Sequence, residues 1–244
     1  MKADPAVQRR LVETQRLDSA IAQLKHRAQT LPIHATIAQL TAERSQVADA
    51  LVAARSRVGD AEEANRKAEA DVVPVRERLN RDEKRRDDGA LDHKALQGVM
   101  EEIESLKRRL SDLEDVELEA MESLEEAQGS LTAATERTGT VEEDLKAAVA
   151  ERDAAVRELA TEAKKDSQAR QDVAAAIPAD LLALYDKLRA RYGGVGVAEL
   201  EGRRCTGCGL EATTADYNAY IEAPADEVLR CAECDRILVR KEKV

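Results

Sequence analysis

Leu96, Val99, Ile103, Leu106, Leu110, Leu113, Glu117, Ala120, Leu124, Ala127, Leu131, Ala134, Thr138, Val141, Leu145 and Ala148 follow one another at alternating steps of three and four residues, and only Glu117 and Thr138 are polar. That spacing is the seam of a coiled coil, in which apolar side chains recur about every 3.5 residues along one side of a helix. So narrow a seam under so charged an exterior forms no core alone. The stretch demands a partner helix along most of its length.

Upstream, a second seam reads Ile33, Ile37, Leu40, Arg44, Val47, Leu51, Ala54, Val58, Ala61, Asn65, Ala68, Val72, Val75 and Leu79. It is preceded by a first phase, Val7, Leu11, Thr14, Leu17, Ile21, Leu24, Ala28 and Leu31, which Leu31-Pro32 interrupts with a kink or short break. Pro74 lies between two seam positions, and the apolar phase continues across it, so it bends the helix without ending it. After Leu79 a charged run ends at Gly89. A reversal is expected near residues 86–91, with Asp92 as N-cap of the returning arm. Pairing Leu79 with Leu96, Val75 with Val99 and Val72 with Ile103, and so on down to Ile33 with Val141, sets the two seams face to face and antiparallel. In that pairing Arg44 lies by Leu131, Asn65 by Leu110, Glu117 by Val58 and Thr138 by Ile37.

The composition agrees with an elongated helical protein: 36% of the 244 residues are charged, 2% are aromatic, and Trp and Phe are absent. A net charge of -11 opposes nucleic acid and anionic membrane and favours protein partners. Between residues 112 and 126 the acidic side chains Asp112, Glu114, Asp115, Glu117, Glu119, Glu122, Glu125 and Glu126 have no basic neighbour, which reads as a solvated exterior or as a docking strip for a basic partner. No apolar h-region follows Met1, and no run approaches the ~20 apolar residues of a membrane span. Cytoplasm is the expected compartment.

Past Ala148 the seam drifts, and Ile177-Pro178 ends the arm. Leu181, Leu182, Leu184, Tyr185, Leu188 and Tyr192, closed by Gly193-Gly194, read as a short amphipathic helix. Its apolar face is expected to pack on the base of the hairpin, against the start of the first arm. From residue 195 the texture turns to Gly, Thr and β-branched residues around two Cys-x-x-Cys pairs, Cys205 with Cys208 and Cys231 with Cys234. Four thiolates bind Zn²⁺ tetrahedrally, and two residues between ligands let each pair curl into a knuckle. With four cysteine ligands the site is closed to water and substrate, so one structural zinc per chain is expected, holding the fold and not catalysing. Strands are expected at 195–204, 227–230 and 237–240, with a turn of helix at 213–220. The organisation is therefore mostly α: an antiparallel coiled-coil hairpin over 1–176, a linking helix over 177–194 and a four-cysteine zinc-ribbon β domain over 195–244, whose unfolding on metal loss should leave the helices intact.

A long α-hairpin, a linking helix and a ribbon reading Cys205-Thr206-Gly207-Cys208 with Cys231-Ala232-Glu233-Cys234-Asp235-Arg236-Ile237-Leu238 resemble the bacterial coiled-coil C4-type zinc-ribbon family, as does His93-Lys94-Ala95-Leu96-Gln97-Gly98-Val99-Met100-Glu101-Glu102-Ile103 in the second arm. Asp235 and Val239 depart from it, standing where members often carry Gly and Tyr. The resemblance implies chaperone-like or adaptor proteins for an alternative sigma factor and for secretion components. It also implies RNA binding for part of the group.

Two functions follow. One is a non-enzymatic interaction or adaptor protein, a monomeric rod displaying a zinc-stabilised docking module to protein partners in the transcription or secretion machinery. The alternative is RNA or DNA binding through the ribbon, with Arg203, Arg204, Arg230, Arg236, Arg240, Lys241 and Lys243 as phosphate contacts and Tyr217 and Tyr220 for stacking. Catalysis is not expected: His26, His34 and His93 fall on the rod or its tip without a nucleophile or paired carboxylates, and no Walker or dinucleotide fingerprint is present.

Overall fold

The computed structural model describes residues 1–241. Its elements are α1 (Pro5–Gln29), α2 (Ile33–Asp87), α3 (His93–Ala174), α4 (Ala179–Arg191), β1 (Val197–Glu201), β2 (Arg204–Cys205), α5 (Thr214–Glu222), β3 (Leu229–Arg230) and β4 (Ile237–Arg240). No helix among the described residues is long and apolar enough to cross a membrane. The chain divides into two compact units, residues 35–149 and residues 1–34 together with 150 onward.

Residues 35–149 are the antiparallel hairpin. Pro74 lies inside α2, which continues to Asp87, and the Asp92 carboxylate accepts from the Ala95 amide at 2.8 Å, capping α3. The seams do face each other, but not with Leu79 against Leu96. Leu79 is buried with Ile103 and Leu106. Four ion pairs bind the arms: Arg76 with Glu114 (2.8 Å), Arg78 with Glu102 (2.8 Å), Glu83 with Lys107 (3.4 Å), and Glu43 with Arg137. These are the flanking pairs of one antiparallel register, in which Leu79 faces Leu106, Val75 faces Leu110, Ala61 faces Leu124 and Leu51 faces Ala134. The register expected from apolar periodicity is thus off by roughly ten residues, or three helical turns. Its error came from starting the count at Leu79: α2 runs two turns further, and Asp82, buried beside Arg78 and Arg85, occupies the next core position. The observed register sets buried alanines (Ala54, Ala61, Ala127) opposite larger residues (Leu131, Leu124, Val58), and a groove of about 420 Å³ opens beside Ala61, Ala64 and Ala127. The polar seam residues again lie opposite apolar ones, Asn65 by Ala120 and Arg44 by Val141.

In the other unit the sheet order is β2-β1-β4-β3, with β1 parallel to β4 and both outer strands antiparallel to their neighbours. β4 carries three consecutive buried residues, and they alternate between two cores. Ile237 and Val239, with Val197, meet Leu11 of α1 and Leu181, Tyr185 and Leu188 of α4. Leu238, with Ala198 and Leu200, meets Cys205, Cys231, Leu229 and Tyr220 of α5. One side of the sheet therefore completes a helical core, and the other encloses the cysteines. The ribbon and the helices share that first core, so the unfolding of the ribbon is coupled by packing to α1 and α4.

Two closures fix the joint. Gly194 donates its amide to the Arg189 carbonyl (2.9 Å) past Gly193 at φ 65°, ending α4 in a left-handed turn. Gly196 then passes so close to α4 that a Cβ there would lie 2.6 Å from the Tyr185 carbonyl oxygen. The chain start joins as well, since Ala3 N donates to Asp226 O (2.7 Å) and Val228 N to Met1 O (3.1 Å).

Candidate metal centre

Two loops of like construction bring the cysteines together. Cys205 sits on β2 with Cys208 in the turn beyond it, and Cys231 follows β3 with Cys234 ahead of β4. In each loop the residue after the second cysteine returns its amide to the carbonyl of the first: Gly209 to Cys205 (2.8 Å) and Asp235 to Cys231 (2.9 Å). Both of those residues adopt left-handed backbone, φ 75° and 58°, and Asp235 is the sole non-glycine residue with positive φ among those described. Its side chain is held by Arg230 at 2.6 Å.

The four Sγ atoms lie within 4.8 Å of one another, and Cys205 Sγ and Cys234 Sγ are 4.0 Å apart. Sulfurs ~2.3 Å from one central ion form a tetrahedron with edges of ~3.8 Å, so the spacing fits a single cation with four protein ligands. The Cys205 sulfur faces the amides of Gly207 and Cys208, and the Cys231 sulfur those of Glu233 and Cys234. Such amides stabilise thiolate charge. Against them, burial pushes the Cys205 thiol up and Cys231 up to about 12. Burial also acts to raise Cys234, but the amide of Arg236 and further hydrogen bonds to its sulfur outweigh it, and this thiol is lowered.

Of the basic residues with which the ribbon could meet phosphate, each one described has a partner within the chain, Arg204 and Lys241 in ion pairs that leave them more than half exposed. Arg203 donates to Ala212 O (2.9 Å), Arg204 pairs with Glu211 (3.6 Å), and Arg230 pairs with Asp235. Arg236 donates to Val195 O and Tyr192 O (2.9 and 3.1 Å) and stacks 5.0 Å from the Tyr192 ring centre. Arg240 serves the carbonyls of Tyr220, Ala223 and Pro224 (3.2, 2.6 and 2.6 Å), and Lys241 pairs with Glu201 at 2.5 Å. Lys243 lies outside the described residues. Tyr220 is buried and its hydroxyl accepts the Ala232 amide at 2.8 Å, while Tyr217 is half-buried against the same core.

His26, His34 and His93 are exposed on helices, and the metal-ligand cluster among the described residues includes none of them. The acidic residues from 112 to 126 are exposed except for half-buried Glu117, and Glu114 alone among them is in an ion pair with a described residue.

Periodicity missed the polar face of α1. Gln8, Gln15 and Asp18 are buried. The Gln8 amide donates to Ala3 O (2.9 Å) and Ala225 O (3.1 Å). Gln15 gives a hydrogen bond to Gly194 O (2.9 Å) and accepts one from Gly196 N (2.7 Å). Asp18 meets Arg170 of α3 (3.3 Å), and Arg189 (3.4 Å) and the Tyr185 hydroxyl (2.8 Å) of α4. These side chains hold the cysteine-bearing sheet on the helices. The available signal was their spacing: Gln8, Leu11, Gln15 and Asp18 repeat at coiled-coil steps beside the apolar seam.

This chain belongs to the CT398-like coiled-coil hairpin family, whose model, described as a CT398-like coiled coil hairpin domain, matches residues 14–193, and it carries a C4-type zinc ribbon domain over residues 204–238. An uncharacterised protein of Mycobacterium tuberculosis is 36% identical over 242 residues, covering 99% of this chain and 98% of the relative. One from Mycobacterium leprae is 29% identical over 222 residues, 91% and 95% of the two chains. A solved structure from Mycobacterium smegmatis has a TM-score of 0.81 at 34% identity, over 98% of this chain and all of that one. CT398 from Chlamydia trachomatis shares the fold, with a TM-score of 0.64 at 16% identity over 97% and 98% of the chains.

Proposed function

We propose that this member of the CT398-like coiled-coil hairpin family is a non-enzymatic interaction protein. Its ribbon, held by one structural Zn²⁺ on Cys205, Cys208, Cys231 and Cys234, is a rigid docking module for a protein partner. The zinc fixes the two loops and supplies no open coordination position. Four thiols need reducing surroundings to stay available as ligands, which supports a cytoplasmic setting. Both seams belong to one chain, so a monomer satisfies the coiled coil.

The observation that carries the choice of protein over nucleic acid is the commitment of the ribbon cations. Phosphate recognition needs several unengaged Arg or Lys side chains, and stacking needs exposed rings. Six ribbon cations are already bound to carbonyls or carboxylates, and Tyr220 is buried. Affinity capture from the source cell with the full chain and with Cys231→Ser, each with and without nuclease, tests the reading. Proteins retained after nuclease and lost with Cys231→Ser are expected. A capture abolished by nuclease, with salt-dependent RNA or DNA binding by the purified chain, would overturn it.

A further inference from the structure

In the unit that carries the ribbon, α1 and the last third of α3 leave a groove of about 390 Å³ between them. Ile21 and Leu24 line it from α1 and Val156 and Leu159 from α3, and Ala160 and Ala163 keep it open where larger residues would fill it. The lining repeats at three and four residues on both helices. It is a helical seam with room for a third helix, the geometry by which an amphipathic helix lies in an apolar groove.

The charge around the groove narrows the occupant. Its two charged lining residues are Lys25 and Lys164, one on each helix, and no carboxylate lines it. Both lysines are exposed, and neither has a hydrogen-bond or ion-pair partner among the described residues. No acidic side chain answers them within the groove, whereas on the hairpin cations such as Arg76, Arg78 and Arg137 meet carboxylates of the facing helix. Two cations flanking an apolar seam with no lining carboxylate make the groove locally basic, complementary to acidic side chains. We infer that this groove seats an acidic amphipathic helix of a partner protein, its apolar side on Leu24 and Leu159 and its carboxylates on Lys25 and Lys164. The inference rests on the protein-binding reading above and adds the chemistry of the partner.

The test is selection from a displayed library of 18-residue amphipathic helices, with apolar positions at heptad spacing and flanking positions drawn from Asp, Glu, Ser, Lys and Arg, against the full zinc-loaded chain. Enriched helices are expected to carry Asp or Glu beside the apolar positions. As synthetic peptides they should bind at least tenfold more weakly to Lys25→Glu/Lys164→Glu, with affinity restored when their flanking acids are changed to Lys. Ala160→Arg, which fills the groove from an exposed position, should abolish binding, and circular dichroism of each variant checks the fold. Enrichment of basic or neutral flanks, or affinities unchanged in both variants, would overturn the proposal. So would sedimentation equilibrium showing a wild-type dimer that both variants dissociate, which would put a second copy in the groove. If affinity capture retains the same proteins with wild type and both variants, the groove proposal falls and the interaction reading stands; if it retains nucleic acid alone, the interaction reading itself falls.

Discussion

The Tyr185 hydroxyl on α4 donates to Asp18 Oδ2 on α1 at 2.8 Å, where Asp18 is 5% exposed and Tyr185 fully buried. The same carboxylate faces Arg170 and Arg189, so one acidic group ties three helices together. Breaking a buried ion pair from one side costs about 3–5 kcal/mol. Here the Arg170 and Arg189 side chains remain 22% and 35% exposed, so their charges stay partly solvated. Asp18→Asn is therefore expected to cost about 2–3 kcal/mol, and Tyr185→Phe about 1–2 kcal/mol. Denaturant unfolding of both and of the double variant would check this, with a non-additive double variant as the signature of a shared network.

The hairpin register has a direct readout. Cysteines at Leu51 and Ala134 should form an intramolecular disulfide under mild oxidation, because those positions face each other in the register of the four ion pairs. Leu51 paired with Leu124 should not, since roughly ten residues separate their levels, about 15 Å along the helix. Equal cross-linking of both pairs would contradict the register.

Metal removal should be felt in helices as well as in the ribbon. Ile237, Val239 and Val197 share a core with Leu11, Leu181 and Tyr185. In Cys205→Ser, or after strong chelation, hydrogen exchange is expected to rise at least tenfold over 197–240 and also in α4, while 35–149 keeps its protection. Retained protection of α4 would show that the shared core survives without the metal.

Metal uptake should release protons. Burial raises the Cys205 thiol and drives Cys231 up to about 12, so both are protonated near neutrality and must deprotonate to ligate. Zn²⁺ titration at pH 7.5 in weak buffer should release about two protons or more per ion, and apparent affinity should rise steeply with pH. For the metal-free chain the sign is reversed. A raised folded pKa stabilises the fold below the unfolded thiol value near 8.5 and loses that contribution as pH climbs towards 12. The chelated ribbon should thus weaken under alkali, while the zinc-loaded one binds its ion more tightly.

Asp235 occupies a backbone conformation suited to glycine, φ 58°, in the place that Gly209 takes in the other loop. Asp235→Gly should recover about 1 kcal/mol of backbone strain and forfeit a partly exposed ion pair with Arg230 worth about as much, leaving thermal stability nearly unchanged. Asp235→Val, β-branched and unable to pair, should cost about 1–3 kcal/mol. Thermal melts of the two zinc-loaded variants would separate conformation from charge.

Local signals of strong chemistry were legible in the sequence. The Cys-x-x-Cys pairs, the Asp92 cap, the break at Leu31-Pro32 and the Gly193-Gly194 turn each have a short-range cause, and the structure places them accordingly. Register was not legible from apolar periodicity, because two seven-residue repeats match again after every whole or half repeat. The discriminating information lay in the flanking charges, such as Glu43 with Arg137, which bring opposite signs together in the observed pairing. Gln8, Gln15 and Asp18 lie off the apolar seam, on a face that a two-helix hairpin would expose. They are buried because α1 meets α4 and the β1 approach as well as α3, and their coiled-coil spacing alone does not name those neighbours.

The Gln8 side chain reaches the carbonyl of Ala225 across 217 residues of chain. During synthesis at ~5–20 residues per second, Leu11 and its polar neighbours must wait on the order of 10–40 seconds for the segment that buries them. The hairpin, whose arms meet through a short turn, closes in the meantime. Maturation is therefore ordered in time: the paired helices can form first, and the joint and the sheet with its cysteines assemble only after residue 225 has been made.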